Sequence, residues 1–312
     1  MKNIIILFAI VVLLGGGAWL WYANTSSPSQ YENENGEAEN IDNMEEETDN
    51  DTDEEETEAE TDQEYARETT IGNSVGGNDI AAYHFGTGDN ELLFIGGIHG
   101  GYSYNTSLVA YELIDLLSET PATVPESVTV TIIPVLNPDG LELVTGSTGR
   151  FTPADVSTSQ SERVAGRFNA NEVDLNRNFD CQWQAEGTWQ SRTVSGGEAP
   201  FSEPEAVAVR DYVTSNSPEA VVVWYSAAGG VYASSCNNGI LPGTQTLLNT
   251  YAEASDYPAY DSFDFYAITG DLVNWLASEN IPAISVLLSD RQNTEWSKNR
   301  AGITAVINAF AE

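Results

Sequence analysis

The segment LLFIGGIHGGYSYNTSLVAYELIDLL, Leu92–Leu117, decides the fold class. Its apolar run LLFI ends at two glycines, His99 follows in a Gly-rich turn, and an amphipathic stretch begins directly afterwards. That order predicts a strand, a tight turn and a helix. It presents His99 at the carboxyl end of the strand, where ligand and metal sites of α/β sheets gather. The turn holds no Asp, Glu or Cys to share a metal with His99; the nearby side chains are Tyr102 and Ser103.

The same alternation extends outward. Short strands are expected at Thr69–Ile71, Asp79–Phe85 and Glu91–Ile95, a helix from Asn105 to about Glu119, and a β-rich run over Ser127–Leu136. In SEPEAVAVRDYVTSN, Ser202 followed by Glu205 has the spacing of a capping box opening a helix near Glu203–Ser215. AVVVWYS, Ala220–Ser226, is a continuous apolar run and so a buried, parallel strand. GDLVNWLASEN reads as a short helix, IPAISVLL as another buried strand, and TEWSKNRAGITAVINAFAE as a closing helix. Strands alternating with helices predict a single α/β domain over 68–312, with a mixed, largely parallel sheet flanked by helices.

Two further divisions precede that domain. Ile4–Ala23 is twenty residues without a charge, behind Lys2 and ending in Trp19, Trp21 and Tyr22. At about 1.5 Å per residue it is long enough for a bilayer core, with aromatics at the interface. The expectation is an uncleaved transmembrane signal-anchor over 1–24; a cleaved signal peptide is the rival. Between Tyr31 and Glu64 stand eighteen Asp or Glu and no Lys or Arg. Such a run cannot bury enough apolar surface to offset its ordering entropy, so 25–67 reads as a disordered acidic linker. The net charge of -37 argues against nucleic acid as a partner. Cys181 and Cys236, the only cysteines, suit an exported domain with one disulfide worth about 4 kcal/mol, or two separately buried thiols. Localisation at the cell membrane, single-pass with the folded domain outside the cytoplasm, follows from these readings.

Taken in order, GGIHGG (Gly96–Gly101), LNPDG (Leu136–Gly140), GRFNANEVDLNRNFD (Gly166–Asp180), FSEPEA (Phe201–Ala206), WYSAAGG (Trp224–Gly230), GDLVNW (Gly270–Trp275) and TEWSKN (Thr294–Asn299) resemble the zinc carboxypeptidases, the M14 metallopeptidase group. The resemblance implies a zinc held by two histidines and a glutamate with one position open for water, and a second glutamate as general base. It matches His99 to the first zinc histidine and Asp174 to the carboxylate that orients it, a contact that would raise the His99 pKa. Arg167, Asn176 and Arg177 match the groups that hold the oxyanion and the terminal carboxylate, and Tyr266 the tyrosine that closes over substrate.

Three expected groups are replaced. The zinc glutamate falls at Tyr102 or Ser103, the second histidine at Tyr225, and the general base at Leu287 or Leu288. His84, the only other histidine, reads as a surface or edge residue, and Glu295 as the start of the closing helix with Asp290 before it. Retained carboxylate-binding groups without the metal set imply a non-hydrolytic protein that binds peptide C-termini, including those of cell-wall peptides. It would need no cofactor, or zinc if the family activity survives. The alternatives are an active zinc carboxypeptidase with relocated ligands and a structural surface protein. Val273 would favour an apolar terminal side chain and Asp271 a basic one.

Overall fold

The structure, a computed structural model, describes residues 66–311. The uncharged segment Ile4–Ala23 and the acidic run Tyr31–Glu64 lie outside the described residues, as do the divisions drawn there, except that Arg67 already pairs with His84 in a strand. Among the described residues no helix is long and apolar enough to cross a membrane.

The chain runs β1 (Ala66–Asn73), β2 (Asp79–Phe85), β3 (Asn90–Ile95), α1 (Asn105–Glu119), β4 (Val128–Ile133), α2 (Pro138–Thr145) and α3 (Gln160–Ala165). A hairpin of β5 (Glu186–Trp189) and β6 (Arg192–Ser195) follows, then α4 (Pro204–Asn216), β7 (Ala220–Ser226) and β8 (Gly230–Ala233). The domain closes with α5 (Pro242–Ser255), β9 (Ala259–Tyr260), α6 (Leu272–Ser278), β10 (Ala283–Leu288) and α7 (Trp296–Ala309). Eight strands form one sheet in the order β1-β2-β4-β3-β7-β10-β8-β9. Its centre, β4-β3-β7-β10, is parallel; β1, β2 and β8 join antiparallel.

Because side chains alternate along a strand, the parallel centre is apolar on both faces. Leu92, Phe94, Val222, Trp224, Val286 and Leu288 point to a core with α1, α5 and α7, where Val109, Leu113 and Leu117 repeat every four residues. Leu93, Ile95, Val221, Val223, Tyr225 and Leu287 point to the other face, against α4, α6 and the segment around Phe179. Leu287 and Tyr225 are register partners in β10 and β7, so they stand side by side on that second face.

Three local expectations are corrected. The helix near 203 starts at Pro204, whose missing N–H suits the first helical position, so Glu203 rather than Ser202 occupies the cap position, without a side-chain cap bond. Glu205 is buried, accepting from the Val75 N–H (3.1 Å) and the Asn169 amide (3.2 Å), and so does not reach back as a capping box requires. His84 is half-buried in β2, which lies between β1 and β4, so it is not at a sheet edge. Its two ring nitrogens meet the Thr69 and Thr131 hydroxyls at 2.8 and 3.0 Å.

Candidate ligand-binding site

The carboxyl ends of β3 and β7 open on the same rim of the sheet, and His99 sits just beyond β3 in the turn that precedes α1. That turn is packed against α2: a Cβ on Gly101 would lie 2.2 Å from Val144 and 2.7 Å from the Gly140 carbonyl, so only glycine fits there. α2 is itself fixed by the Asn137 side chain, which accepts from the Gly140 N–H at 2.8 Å, with Pro138 in its first turn. The NPDG signature thus supports the histidine turn from below.

A cavity of about 830 Å³ opens in front of this rim. Its wall includes His99, Arg167, Asn176, Arg177, Tyr225 and Leu287, with Tyr266, Asp271 and Val273 from the segment before and within α6. The structure therefore gathers the residues drawn from five separate stretches of sequence. It also separates Leu287 from Leu288: Leu287 lines the cavity, while Leu288 faces the opposite core.

The electrostatic centre is Asp174. Its Oδ2 accepts from Arg167 Nε and a terminal guanidinium nitrogen at 2.9 and 2.7 Å, and its Oδ1 accepts from the Asn176 N–H at 3.2 Å. Burial alone would raise its pKa, but Arg167, then His99 and Arg177, hold the carboxyl well below the usual range. His99 Nε2 stands 3.5 Å from Asp174 Oδ1, and neither ring nitrogen has a hydrogen-bond partner. The expected upward shift of this histidine is not found. Burial, aided by Arg167, lowers its pKa to about 4 against the pull of Asp174, so the ring is neutral at physiological pH.

The other positions are equally specific. Tyr225 donates its hydroxyl to Asn176 Oδ1 at 3.1 Å, and burial, then the neighbouring Asp271, pushes its pKa well above 10. The same Asn176 oxygen accepts from the Leu272 N–H at 3.2 Å. Ser103 is buried with no partner for its hydroxyl, and Tyr102 packs edge-on against Trp189 at 4.9 Å. Glu295 caps α7 and accepts from the Ser289 backbone and hydroxyl at 2.6 and 2.9 Å; Asp290 accepts from the Gln292 and Asn293 N–H groups at 2.7 and 2.8 Å.

Zinc requires three protein ligands at a tetrahedral site with deprotonated or neutral donors. Here the positions that the resemblance assigns to the other ligands and the base hold a serine with a buried hydroxyl, a phenol that stays protonated and a leucine, and the nearest carboxylate, Asp174, accepts from Arg167 and the Asn176 N–H. The donor set does not fit zinc. Among the described residues no group of three or more His, Cys, Asp or Glu is arranged to hold a metal.

What the site does carry is a buried cation with no direct ion pair. Arg177 is buried, and its terminal nitrogens donate to the Asn176 and Thr188 carbonyls at 2.5 and 2.6 Å while Nε has no partner. No carboxylate lies within ion-pair distance of it among the described residues. The β5–β6 hairpin that supplies Thr188 also packs on its stem, with Gly187 directly above it. Neither the hairpin nor Trp189, 4.4 Å beneath the Arg167 guanidinium, was foreseen; QWQAEGTWQSRTVSGG has too little apolar alternation to announce strands. Cys181 and Cys236, joined by a disulfide with Cα atoms 6.2 Å apart, tie the segment after Arg177 to the one after β8.

A family model described as zinc carboxypeptidase matches residues 55–269. Gamma-D-glutamyl-L-diamino acid endopeptidase 1 of Lysinibacillus sphaericus is 28% identical over 65% of this chain and 56% of its own length. Murein peptide amidase A of Vibrio campbellii is 28% identical over 41% of this chain and 52% of its own. The chain thus spans little more than half the length of these relatives. Among solved structures, carboxypeptidase A from Helicoverpa armigera aligns with a TM-score of 0.62 at 18% identity, covering 79% of this chain and 69% of that one. Murein-tripeptide amidase MpaA from Escherichia coli O157 aligns at 0.54 and 20% identity, over 78% and 92%. At these identities the structural likeness establishes the fold.

Proposed function

Because the chain belongs to the zinc carboxypeptidase family, we propose that it keeps that family's hold on the C-terminal carboxylate of a peptide and has given up hydrolysis. The observation that carries this reading is Arg177: a buried guanidinium, clamped by two carbonyls, with Asp271 and Asp174 nearby but no acid in direct ion pair with it, and lining a cavity of about 830 Å³. Burying a charge without a counter-ion is costly unless a ligand supplies one. A peptide carboxylate meeting the remaining guanidinium N–H groups, with Asn176 beside it, fills that role. Arg167 is held on Asp174 and contributes to the positive field more than to direct contact. Tyr266, in the wall of the same cavity, covers the bound terminus. Leu287, which carries no titratable group, stands where the family's general base is expected.

Two relatives are named for murein peptides or γ-D-glutamyl-L-diamino acid bonds, and peptides of this kind are the ligand class we favour. A location at the outer face of a membrane suits such a ligand, and the uncharged segment Ile4–Ala23 and the disulfide support it. The test compares a peptide bearing a free C-terminal carboxylate with its amide. Wild-type protein should prefer the free acid, and Arg177→Ala should weaken that peptide by about 2–5 kcal/mol while leaving the amide unchanged. Equal binding of acid and amide by the wild type overturns the reading. Zinc-dependent release of the C-terminal residue would replace it with an active peptidase.

A further inference from the structure

A second cavity of about 460 Å³ adjoins the first, and the two share the side chains of Ala227 and Arg291. Arg291 follows β10 in the loop SDRQN. Its guanidinium lies 4.5 Å over the Tyr102 ring, its Nε is buried without a hydrogen-bond partner, and no acid is within ion-pair distance among the described residues. Tyr102 also has Arg167 5.7 Å from its ring centre. At a position where the resemblance allows a metal-binding carboxylate, an aromatic ring thus steadies two guanidinium groups.

Across the second cavity Arg163 donates to the Ser157 carbonyl and to Gln160 Oε1, both at 3.0 Å, which fixes it without neutralising it. Asp290 is the one acid in this wall, and its oxygens already accept from Gln292 and Asn293. The whole chain has only 11 Lys and Arg against 48 Asp and Glu. Four of those cations, Arg163, Arg167, Arg177 and Arg291, nonetheless line these two adjoining cavities. Arg167 is held by Asp174, and Asp264 and Asp271 also stand in the first wall, so the open binding capacity lies in Arg177 and Arg291, neither in a direct ion pair; two such guanidinium groups fit a ligand with more than one negative group.

We infer that Arg291, with Arg163, forms a second anion subsite beside the terminal-carboxylate site, and that the ligand is a peptide with a further carboxylate one or two residues ahead of its C-terminus. The inference rests on the reading of Arg177 as the terminal anchor. A planar guanidinium with a free edge suits a carboxylate in two-point contact. That carboxylate has two chemical sources: the side chain of an α-linked Asp or Glu, or the main-chain carboxylate left free by a γ-linked glutamyl residue.

The experiment measures binding of acetylated tetrapeptides to the full chain by calorimetry. Glu is placed second or third from the end, α-linked or γ-linked, and each peptide is paired with its C-terminal amide and with the form whose free Glu carboxylate is a carboxamide, called its Gln partner (Gln for the α-linked peptide, isoglutamine for the γ-linked one). Wild-type protein should bind at least one Glu peptide about tenfold or more tightly than its Gln partner, the size expected of a charge-assisted hydrogen bond. The arm showing that ratio identifies the source. Arg291→Ala should bring the ratio to about one while the preference for free acid over amide persists; Arg291→Lys should keep part of it, and Arg163→Ala should reduce it. A wild-type ratio of one with free-acid preference intact overturns the second subsite and leaves the first reading standing, as does a ratio that Arg291→Ala fails to change. A Glu preference lost in Arg291→Ala, without any free-acid preference, supports the subsite and overturns the terminal anchor. Absence of binding to every peptide overturns both.

Discussion

Asp271 and His99 are buried ionisable groups in the wall of one cavity, and they pull stability in opposite directions with pH. His99 is lowered by burial to about 4, so between about pH 6.5 and 4 the unfolded chain takes up a proton that the folded chain refuses. Its contribution is complete above that window and is lost as pH falls through it. Asp271 is raised by burial to about 6, with Arg177 and Asn274 opposing. Between about pH 4 and 6 the unfolded chain releases a proton that the folded chain retains, so stability falls as pH rises. The two slopes largely cancel. In Asp271→Asn only the histidine slope remains, and the variant should gain on wild type by about 2–3 kcal/mol from pH 4 to pH 6. Urea unfolding of both proteins at pH 4, 5 and 6 checks this; parallel curves would show that Asp271 titrates normally.

At the scale of elements, the β5–β6 hairpin is a brace for one arginine. Thr188 accepts from Arg177 at 2.6 Å, and a Cβ at Gly187 would lie 2.7 Å from Arg177 Cδ and 3.1 Å from its Nε. Gly187→Val therefore displaces a side chain that two hydrogen bonds hold in place. The expected outcome is a loss of about 1–3 kcal/mol in stability from overpacking, together with weaker free-acid peptide binding, although position 187 lies outside the cavity wall. Thermal melts and the acid–amide comparison check both effects; unchanged peptide affinity would mean that Arg177 does not need the hairpin.

This scale also separates what could be read in the chain from what could not. β3, the glycine turn and α1 were legible because an apolar run, a breaker and an i, i+4 apolar repeat occur within one stretch. The site residues on VDLNRNF were legible because their order is itself a signature. The hairpin was not, being short and polar. The buried Glu205 was misread because a capping-box spacing specifies a local bond, whereas its real partners, Val75 and Asn169, come from distant segments. Arg291 carried one usable signal, a cation placed just after a buried strand in a chain that has very few.

For the whole molecule, the question is whether the fold accepts the ligand and base side chains that the family resemblance implies. The triple variant Ser103→Glu, Tyr225→His, Leu287→Glu restores two carboxylates and an imidazole around His99. The changes at Tyr225 and Leu287 lie on the cavity face of the sheet. Without zinc the variant should lose about 1–3 kcal/mol for each of its three substitutions, the usual size for a single change. Titrated calorimetrically with zinc, it should bind one ion, while the natural chain should show no tight site. Sub-micromolar zinc binding by the natural chain would refute the account of its donor set.

The alternation along β7 and β10 has a wider implication. Trp224 and Leu288 hold the sheet to its helices from one side, while their immediate neighbours Tyr225 and Leu287 look into the cavity from the other. Structural duty and chemical duty are thus assigned to odd and even places of the same strands. One set can be rewritten while the other stays untouched. A lineage built on this plan can lose its reaction, or recover it, without passing through an unfolded ancestor. Resemblance of shape in such proteins therefore records descent and does not report present activity.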